Sequence, residues 1–175
     1  MQRQAISAHS PLIGIAGWKN SGKTTLVTRL VAEITGRGLS VATIKHAHHA
    51  FQIDDGDTDS ARHRRAGATQ VAIVSPARWA VVRELGLAAE PALEDIIARL
   101  EPCDLIIVEG YKRAPIRKIE VRRTDALDKR SLFTEDPLVI AIASDQSITG
   151  TALPVFDIDD IVALADFILN GVKTP

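Results

Sequence analysis

Two hydrophobic rhythms alternate along the chain. Leu12–Ala16 is a short, nearly continuous apolar run, the pattern of a strand buried on both faces of a parallel sheet. From about Gly22 the period lengthens to that of a helix, with Leu26, Leu30 and Ile34 on one side and Val27 and Val31 close by. It breaks near Gly36-Arg37-Gly38. Ser40–Lys45 is again strand-like, which completes a βαβ unit. Further on, Ser60–Ala66 predicts a short helix, Gln70–Ser75 a strand, and Pro91–Leu100 a helix with Leu93, Ile96, Ile97 and Leu100 on one stripe. Asp104–Val108 and Leu138–Ala143 are buried-type strands, and Pro154–Phe156 is a short one. Asp159–Asn170 closes the chain as a helix, with Ile161, Leu164, Ala165 and Ile168 aligned.

Two segments depart from this alternation. In Arg78–Leu85, Trp79, Val81 and Arg83 alternate with Ala80 and Val82. In Ile116–Arg123, Ile119 and Val121 alternate with Lys118, Glu120 and Arg122. Both predict half-exposed strands inserted into the pattern. The expected fold is therefore α/β, with a largely parallel sheet, helices on both faces and right-handed crossovers. No linker sets the inserted strands apart, so residues 11–175 are expected to form one domain after a loose lead-in over residues 1–10.

The junction of the first strand and helix carries the most specific chemistry. Gly17-Trp18-Lys19-Asn20-Ser21-Gly22-Lys23-Thr24 matches the phosphate-binding loop G-x-x-x-x-G-K-[ST] in its strand–loop–helix setting. Backbone N–H groups and the helix N-terminus attract phosphate. Gly17, Asn20, Ser21, Gly22, Lys23, Thr24 and Thr25 are the nucleotide-binding candidates. Lys23 is placed to reach the β- and γ-phosphates, and Thr24 to offer a hydroxyl to Mg²⁺. The whole is a P-loop NTPase fold.

Glu109 ends the apolar strand Leu105-Ile106-Ile107-Val108, where a P-loop protein needs a carboxylate for the metal shell or its water. The alternative is a charged residue where a strand meets solvent. The acidic loop before the second helix offers Asp54, Asp57 and Asp59. Asp59 is the favoured metal ligand of the three, with a helix cap as its other reading, and Thr58 is the competing cap. His46, His48 and His49 form only a weak metal tract. Lys45 ends its strand at the same rim. Lys112 and Arg113 follow Glu109 closely enough to meet a phosphate-rich partner. Arg62, Arg64 and Arg65 either meet an anion or line a solvated helix face. Asp145, after strand Leu138–Ala143, is either a guanine-edge acceptor or a turn residue, and Asp157, Asp159 and Asp160 cap the last helix.

Bulk properties narrow the classes. The 175 residues carry 21 basic and 22 acidic side chains, a formal charge of -1, which argues against a general nucleic-acid binder. The single cysteine, Cys103, excludes an intrachain disulfide framework and fits a reducing compartment. No apolar run reaches membrane-spanning length, and residues 1–10 lack the apolar stretch of a signal peptide.

Several of these pieces together resemble the MobB-type molybdopterin-guanine dinucleotide biosynthesis adapter proteins. They are Gly14 through Leu26 with its Trp-x-x-Ser-Gly-Lys-Thr-Thr form, Ile44-Lys45-His46-Ala47-His48-His49, Asp59-Ser60 before Ala66-Gly67-Ala68, and Leu105 through Lys112. Ala141 through Asp145 and Asp157 through Asp160 fit too. The resemblance implies a cytoplasmic GTP-binding protein with weak, Mg²⁺-dependent hydrolysis, in which Lys23 and Glu109 serve catalysis. It also implies a homodimer that assists the molybdenum cofactor guanylyltransferase, with molybdopterin or its guanine dinucleotide as a further ligand and molybdoenzyme maturation proteins as further partners. The two alternating strands would suit the subunit interface through Trp79, Val81, Ile119 and Val121. Read from the residues alone, a small-molecule kinase and a non-catalytic nucleotide-gated switch remain open.

Overall fold

The first strand of the sheet is flanked by two strands that come late in the chain, β5 (Leu105–Glu109) and β6 (Lys118–Arg122), and the next strand in sequence lies one place further out. The computed structural model describes residues 10–47, 53 and 56–171. By internal contacts the chain forms two compact units, Met1–His46 with Leu100–Pro175, and Ala47–Arg99.

The first unit is built on a six-stranded sheet. Its strands are β1 (Leu12–Ala16), β2 (Val41–Lys45), β5 (Leu105–Glu109), β6 (Lys118–Arg122), β7 (Val139–Ser144) and β8 (Val155–Asp157), in the spatial order β2-β5-β1-β6-β7-β8. Every pairing is parallel. Its two helices are α1 (Lys23–Gly36) and α4 (Ile161–Gly171). Alternate residues of a strand face the same way, and this sorts the core. Ile13 and Ile15, Leu105 and Ile107, Ile119 and Val121, and Ala141 and Ala143 share one cluster with the helix stripes Leu26, Leu30 and Ile34, and Leu164, Ala165 and Ile168. Each such fully buried Ile or Leu contributes about 1.5–3 kcal/mol of transfer free energy. On the opposite face Ala16 and Val139 pack with Leu132, a residue of the segment between β6 and β7.

The segment Ile116–Arg123 is not an inserted, half-exposed strand. Its ordered part, β6, is a central strand of the parallel sheet between β1 and β7. The alternating charges are buried rather than solvated. Lys118 is 1% exposed and donates to Asp136 Oδ2 at 2.5 Å, Ala114 O at 2.9 Å and Lys112 O at 3.2 Å. Glu120 is 0% exposed and accepts from Leu132 N at 3.0 Å and Phe133 N at 2.9 Å. A buried charge is tolerated when it is paired and hydrogen-bonded. Here the two charged groups tie the loops on either side of β6 to the sheet. Ile119 and Val121, expected at a subunit interface, lie instead in the core.

The second unit holds α2 (Asp59–Arg65), β3 (Gln70–Val74), β4 (Trp79–Arg83) and α3 (Leu93–Ile97). β3 and β4 form a separate antiparallel pair in which Val74 faces Trp79 and Ala72 faces Val81. Here the half-exposed reading of Arg78–Leu85 is matched, with Trp79 68% and Val81 51% exposed. α3 is shorter than the predicted Pro91–Leu100. In the sequence this unit is inserted between β2 and β5. Its elements contact mainly one another: β3 pairs with the strand that follows it, and α2 packs on β3. Among the described residues no helix is long and apolar enough to cross a membrane.

Candidate functional site

The phosphate loop leaves the carboxyl end of β1 at the middle of the sheet, where open parallel sheets bind their ligands. Two positions in it demand glycine. A Cβ on Gly17 would lie 2.6 Å from both Ser21 Oγ and Val121 O. Gly22 caps α1 in the left-handed region with φ 86°, where a side chain is strained. Asn20 is also left-handed, at φ 62°, a conformation that Asn tolerates better than most residues. The turn closes through Ser21 N, which donates to Trp18 O at 3.2 Å. Ser21 is buried, and Thr25 is exposed on the first turn of α1.

Lys23 donates to Trp18 O at 2.6 Å and to Ser21 Oγ at 3.4 Å. Burial lowers its pKa; Glu109 opposes that shift, while the neighbouring charges of Lys112 and Lys45 reinforce it. Thr24 Oγ1 donates to Glu109 Oε1 at 2.6 Å. Lys45 Nζ lies 3.2 Å from Thr24 Oγ1 and 3.3 Å from Glu109 Oε1. The pairing of β2 with β5 places Lys45 opposite Glu109, and that of β1 with β5 places Ile15 there. The start of α1, with Lys23 and Thr24, thus meets Glu109 at the end of β5, and β2 adds Lys45 beside them.

The residues also suit a hard divalent cation. Thr24 Oγ1 and the Glu109 carboxylate are adjacent oxygen donors, and a cationic ammonium already bridges them. One hydroxyl and one carboxylate, completed by water and phosphate oxygens, is the donor set Mg²⁺ takes in nucleotide sites. Among the described residues no group of three or more His, Cys, Asp and Glu is arranged to hold a metal. His48, His49 and Asp54 lie outside the described residues. Asp59 belongs to the second unit; it opens α2 with its carboxylate 3.6 Å from Arg62, while the Thr58 side chain accepts the capping bond from Ala61 N. Arg62 is held by Asp57 at 2.8 Å, and Arg64 by Glu84 at 3.1 Å.

Asp145 follows β7 as expected, and its carboxylate is engaged. Oδ1 accepts from Thr124 N at 2.8 Å and Thr124 Oγ1 at 3.1 Å, and Oδ2 lies 3.6 Å from Arg123 Nε. Burial pushes its carboxyl up, but the Thr124 donors and the Arg123 charge bring it below the usual carboxylate range.

The far flank of the loop gathers Trp18 and the predicted Lys112 with Arg123, Lys129 and Arg130, for which the sequence reading had no role. Trp18 Nε1 donates to Arg130 O at 2.8 Å, and its ring has both Lys112 Nζ and Arg130 Cζ at 3.9 Å from the centroid. A small cavity beside the loop is lined by Trp18, Ser21, Arg122, Arg123, Lys129 and Gln146, among others. The available signal was the Arg122-Arg123 pair at the carboxyl end of an alternating strand. It becomes informative only once that strand is known to adjoin β1.

The sequence profile described as "MobB: Molybdopterin guanine dinucleotide synthesis protein B" matches residues 12–145. The chain is 37% identical over 165 residues to the molybdopterin-guanine dinucleotide biosynthesis adapter protein of Escherichia coli (strain K12), covering 93% of this chain and 94% of that one. It is 37% identical over 163 residues to the protein of the same name from Haemophilus influenzae, covering 91% and 88%. A crystal structure of molybdopterin-guanine biosynthesis protein B (mobB) superposes with TM-score 0.70 at 29% identity, over 91% of this chain and 98% of that one. The crystal structure of Bacillus subtilis MobB gives TM-score 0.70 at 26% identity, over 94% and 99%. The profile covers most of the chain and two relatives share 37% identity over nearly all of it, and the chain belongs to the MobB family.

Proposed function

We propose that this protein is a GTP-binding adapter of molybdopterin guanine dinucleotide biosynthesis with slow GTPase activity. It assists the guanylyltransferase that attaches GMP to molybdopterin, in the cytoplasm, and molybdopterin, its guanine dinucleotide and molybdoenzyme maturation proteins are further candidates for contact. The observation that carries the reading is the joining of Lys23, Thr24 and Glu109 at one loop on the carboxyl edge of the sheet. The names of the relatives supply the pathway.

The mechanism is mainly one of binding. Loop amides and the α1 N-terminus receive phosphate oxygens, and Lys23 exchanges the Trp18 carbonyl for them. Thr24 and Glu109 would hold Mg²⁺, which supplies charge neutralisation on the phosphates when bound. Glu109 is hydrogen-bonded by Thr24 and faces Lys45, so it is suited to ordering a cation and water rather than to taking a proton quickly. Hydrolysis is therefore slow, far below the ~1–100 s⁻¹ of kinases.

The test is calorimetric titration with GTP and ATP, with phosphate release measured in parallel. GTP should bind, outcompete ATP and turn over slowly. Equal ATP binding would remove the guanine assignment, and fast phosphate transfer to an added metabolite would make the protein a kinase.

A homodimer is part of the same proposal. Val74, Trp79 and Val81 share one exposed face of the β3–β4 hairpin, and an isolated two-stranded hairpin is marginal in water. A second copy of the chain would cover that face. Light scattering at micromolar concentration should report near twice 18.9 kDa; a monomer at all concentrations would dismiss the interface.

A further inference from the structure

Of the cations gathered on the β6 flank of the phosphate loop, one stands apart in how it is held. Arg122 is bonded to Ser131 Oγ and lies 3.8 Å from Glu120, Lys129 donates to Thr124 O, and Arg130 pairs with Asp128 at 2.7 Å. Arg123 has, among the described residues, one ion pair, to Asp145 at 3.6 Å, beyond hydrogen-bond length. Its side chain is 43% exposed, and its guanidinium therefore keeps donors to spare.

The place of that guanidinium is unusual for a cation. A Cβ built on Gly22 would meet Arg123 Cδ at 3.0 Å and Nη1 at 3.7 Å. Gly22 is the N-cap of a 14-residue helix and has no side-chain cap bond. The N-terminal end of a helix carries partial positive charge, which disfavours a neighbouring cation and favours an anion. A planar fork of donors beside the loop amides suits phosphate oxygens. Asp145 is the group that keeps the fork there: Thr124 fixes one carboxylate oxygen, and the other faces Arg123 Nε.

We propose that Arg123 contacts the phosphate chain of the nucleotide directly, on the flank away from Thr24 and Glu109, and that Asp145 is its positioning residue rather than a reader of the base. This rests on the phosphate-loop reading above. It differs from the metal flank in one measurable way: its contribution needs no Mg²⁺.

The test is GDP titration in EDTA, at two salt concentrations, for the parent and for Lys23→Ala, Arg123→Met, Arg123→Ala and Arg123→Lys. Arg123→Met retains the aliphatic stem over Gly22 and removes the charge. Both Met and Ala variants should lose about tenfold in affinity and show a weaker salt dependence, with Lys in between. Parent-like binding by Arg123→Met alongside a loss in Arg123→Ala would mean the side chain only packs on Gly22, and would overturn the proposal. So would parent-like binding by both. Loss confined to Lys23→Ala would leave the phosphate-loop reading standing without Arg123, whereas a parent that binds no nucleotide would overturn both. For Asp145, Asp145→Asn should weaken GDP binding in the parent but not in Arg123→Met, with the GTP-over-ATP preference unchanged. A compressed preference with additive losses would return Asp145 to the base.

Discussion

β5 and β6 flank β1 on either side, run parallel to it and end beside the same loop, yet they are built on opposite plans. β5 is Leu-Ile-Ile-Val-Glu, wholly buried, with its single charge at the functional end. β6 is Lys-Ile-Glu-Val-Arg, buried over its first four residues, with charge at every second position. β5 delivers Glu109 to Thr24 and needs nothing else. β6 must satisfy Lys118 and Glu120 inside the protein, and it does so by drawing in the carbonyls of Lys112 and Ala114, the Asp136 carboxylate and the N–H groups of Leu132 and Phe133. The apolar strand supplies stability and one carboxylate. The charged strand organises the loops that surround Trp18, since the residue whose carbonyl Lys118 holds, Lys112, is one of the two cations over that ring.

The largest effect expected from breaking this contrast is on stability. Lys118→Met keeps the stem but leaves Asp136 Oδ2 and the carbonyls of Lys112 and Ala114 without the ammonium. Breaking a buried pair costs about 3–5 kcal/mol, and the low end applies because Asp136 is 23% exposed. Chemical denaturation measures it, and Ile106→Val on the apolar strand should cost only about 1 kcal/mol. The difference is also pH-dependent. Burial raises the Asp136 carboxyl, but the hydrogen bonds from Lys118 and Leu138 N and the Lys118 charge hold it below the usual range. A lowered folded pKa contributes stability that is present above the unfolded value of ~3.9 and is lost as pH falls through the folded one. The gap between parent and Lys118→Met should therefore narrow below about pH 4; a gap independent of pH would show that the ion pair is not its source.

Next in size is the element both strands serve. Lys23→Ala removes the charge proposed to meet the β/γ-phosphates and should weaken nucleotide binding at least tenfold, about 1.4 kcal/mol by calorimetry. Unchanged affinity in a folded variant would defeat the phosphate-loop assignment. The smallest change in binding is expected on the β5 flank. Glu109→Gln retains the hydrogen-bonding shape and most affinity, but should lower phosphate release further and weaken the Mg²⁺ dependence, as should Thr24→Ala. Equal rates at saturating GTP and Mg²⁺ would take Glu109 out of the site.

The sequence by itself determined the phosphate loop, because Gly17, Gly22, Lys23 and Thr24 act through local geometry that four residues in one short loop can specify. It also determined the buried strands β1, β5 and β7 and the helices α1 and α4, where apolar period and burial coincide. Glu109 was legible because a lone carboxylate ends an apolar run. Only the tertiary structure decided the place of β6. Alternating charge reads as half-exposed when solvent is the assumed partner, and the true partners of Lys118 and Glu120 lie up to 18 residues away in the chain. Arg123 was hidden for the same reason: nothing local ties it to Gly22, 101 positions earlier in the sequence. Asp145 shows the complementary limit, since its position after β7 was readable but its commitment to Thr124 and Arg123 was not. Local chemistry is written in neighbouring residues, whereas the partner of a buried or converging charge is chosen by the order of strands in the sheet.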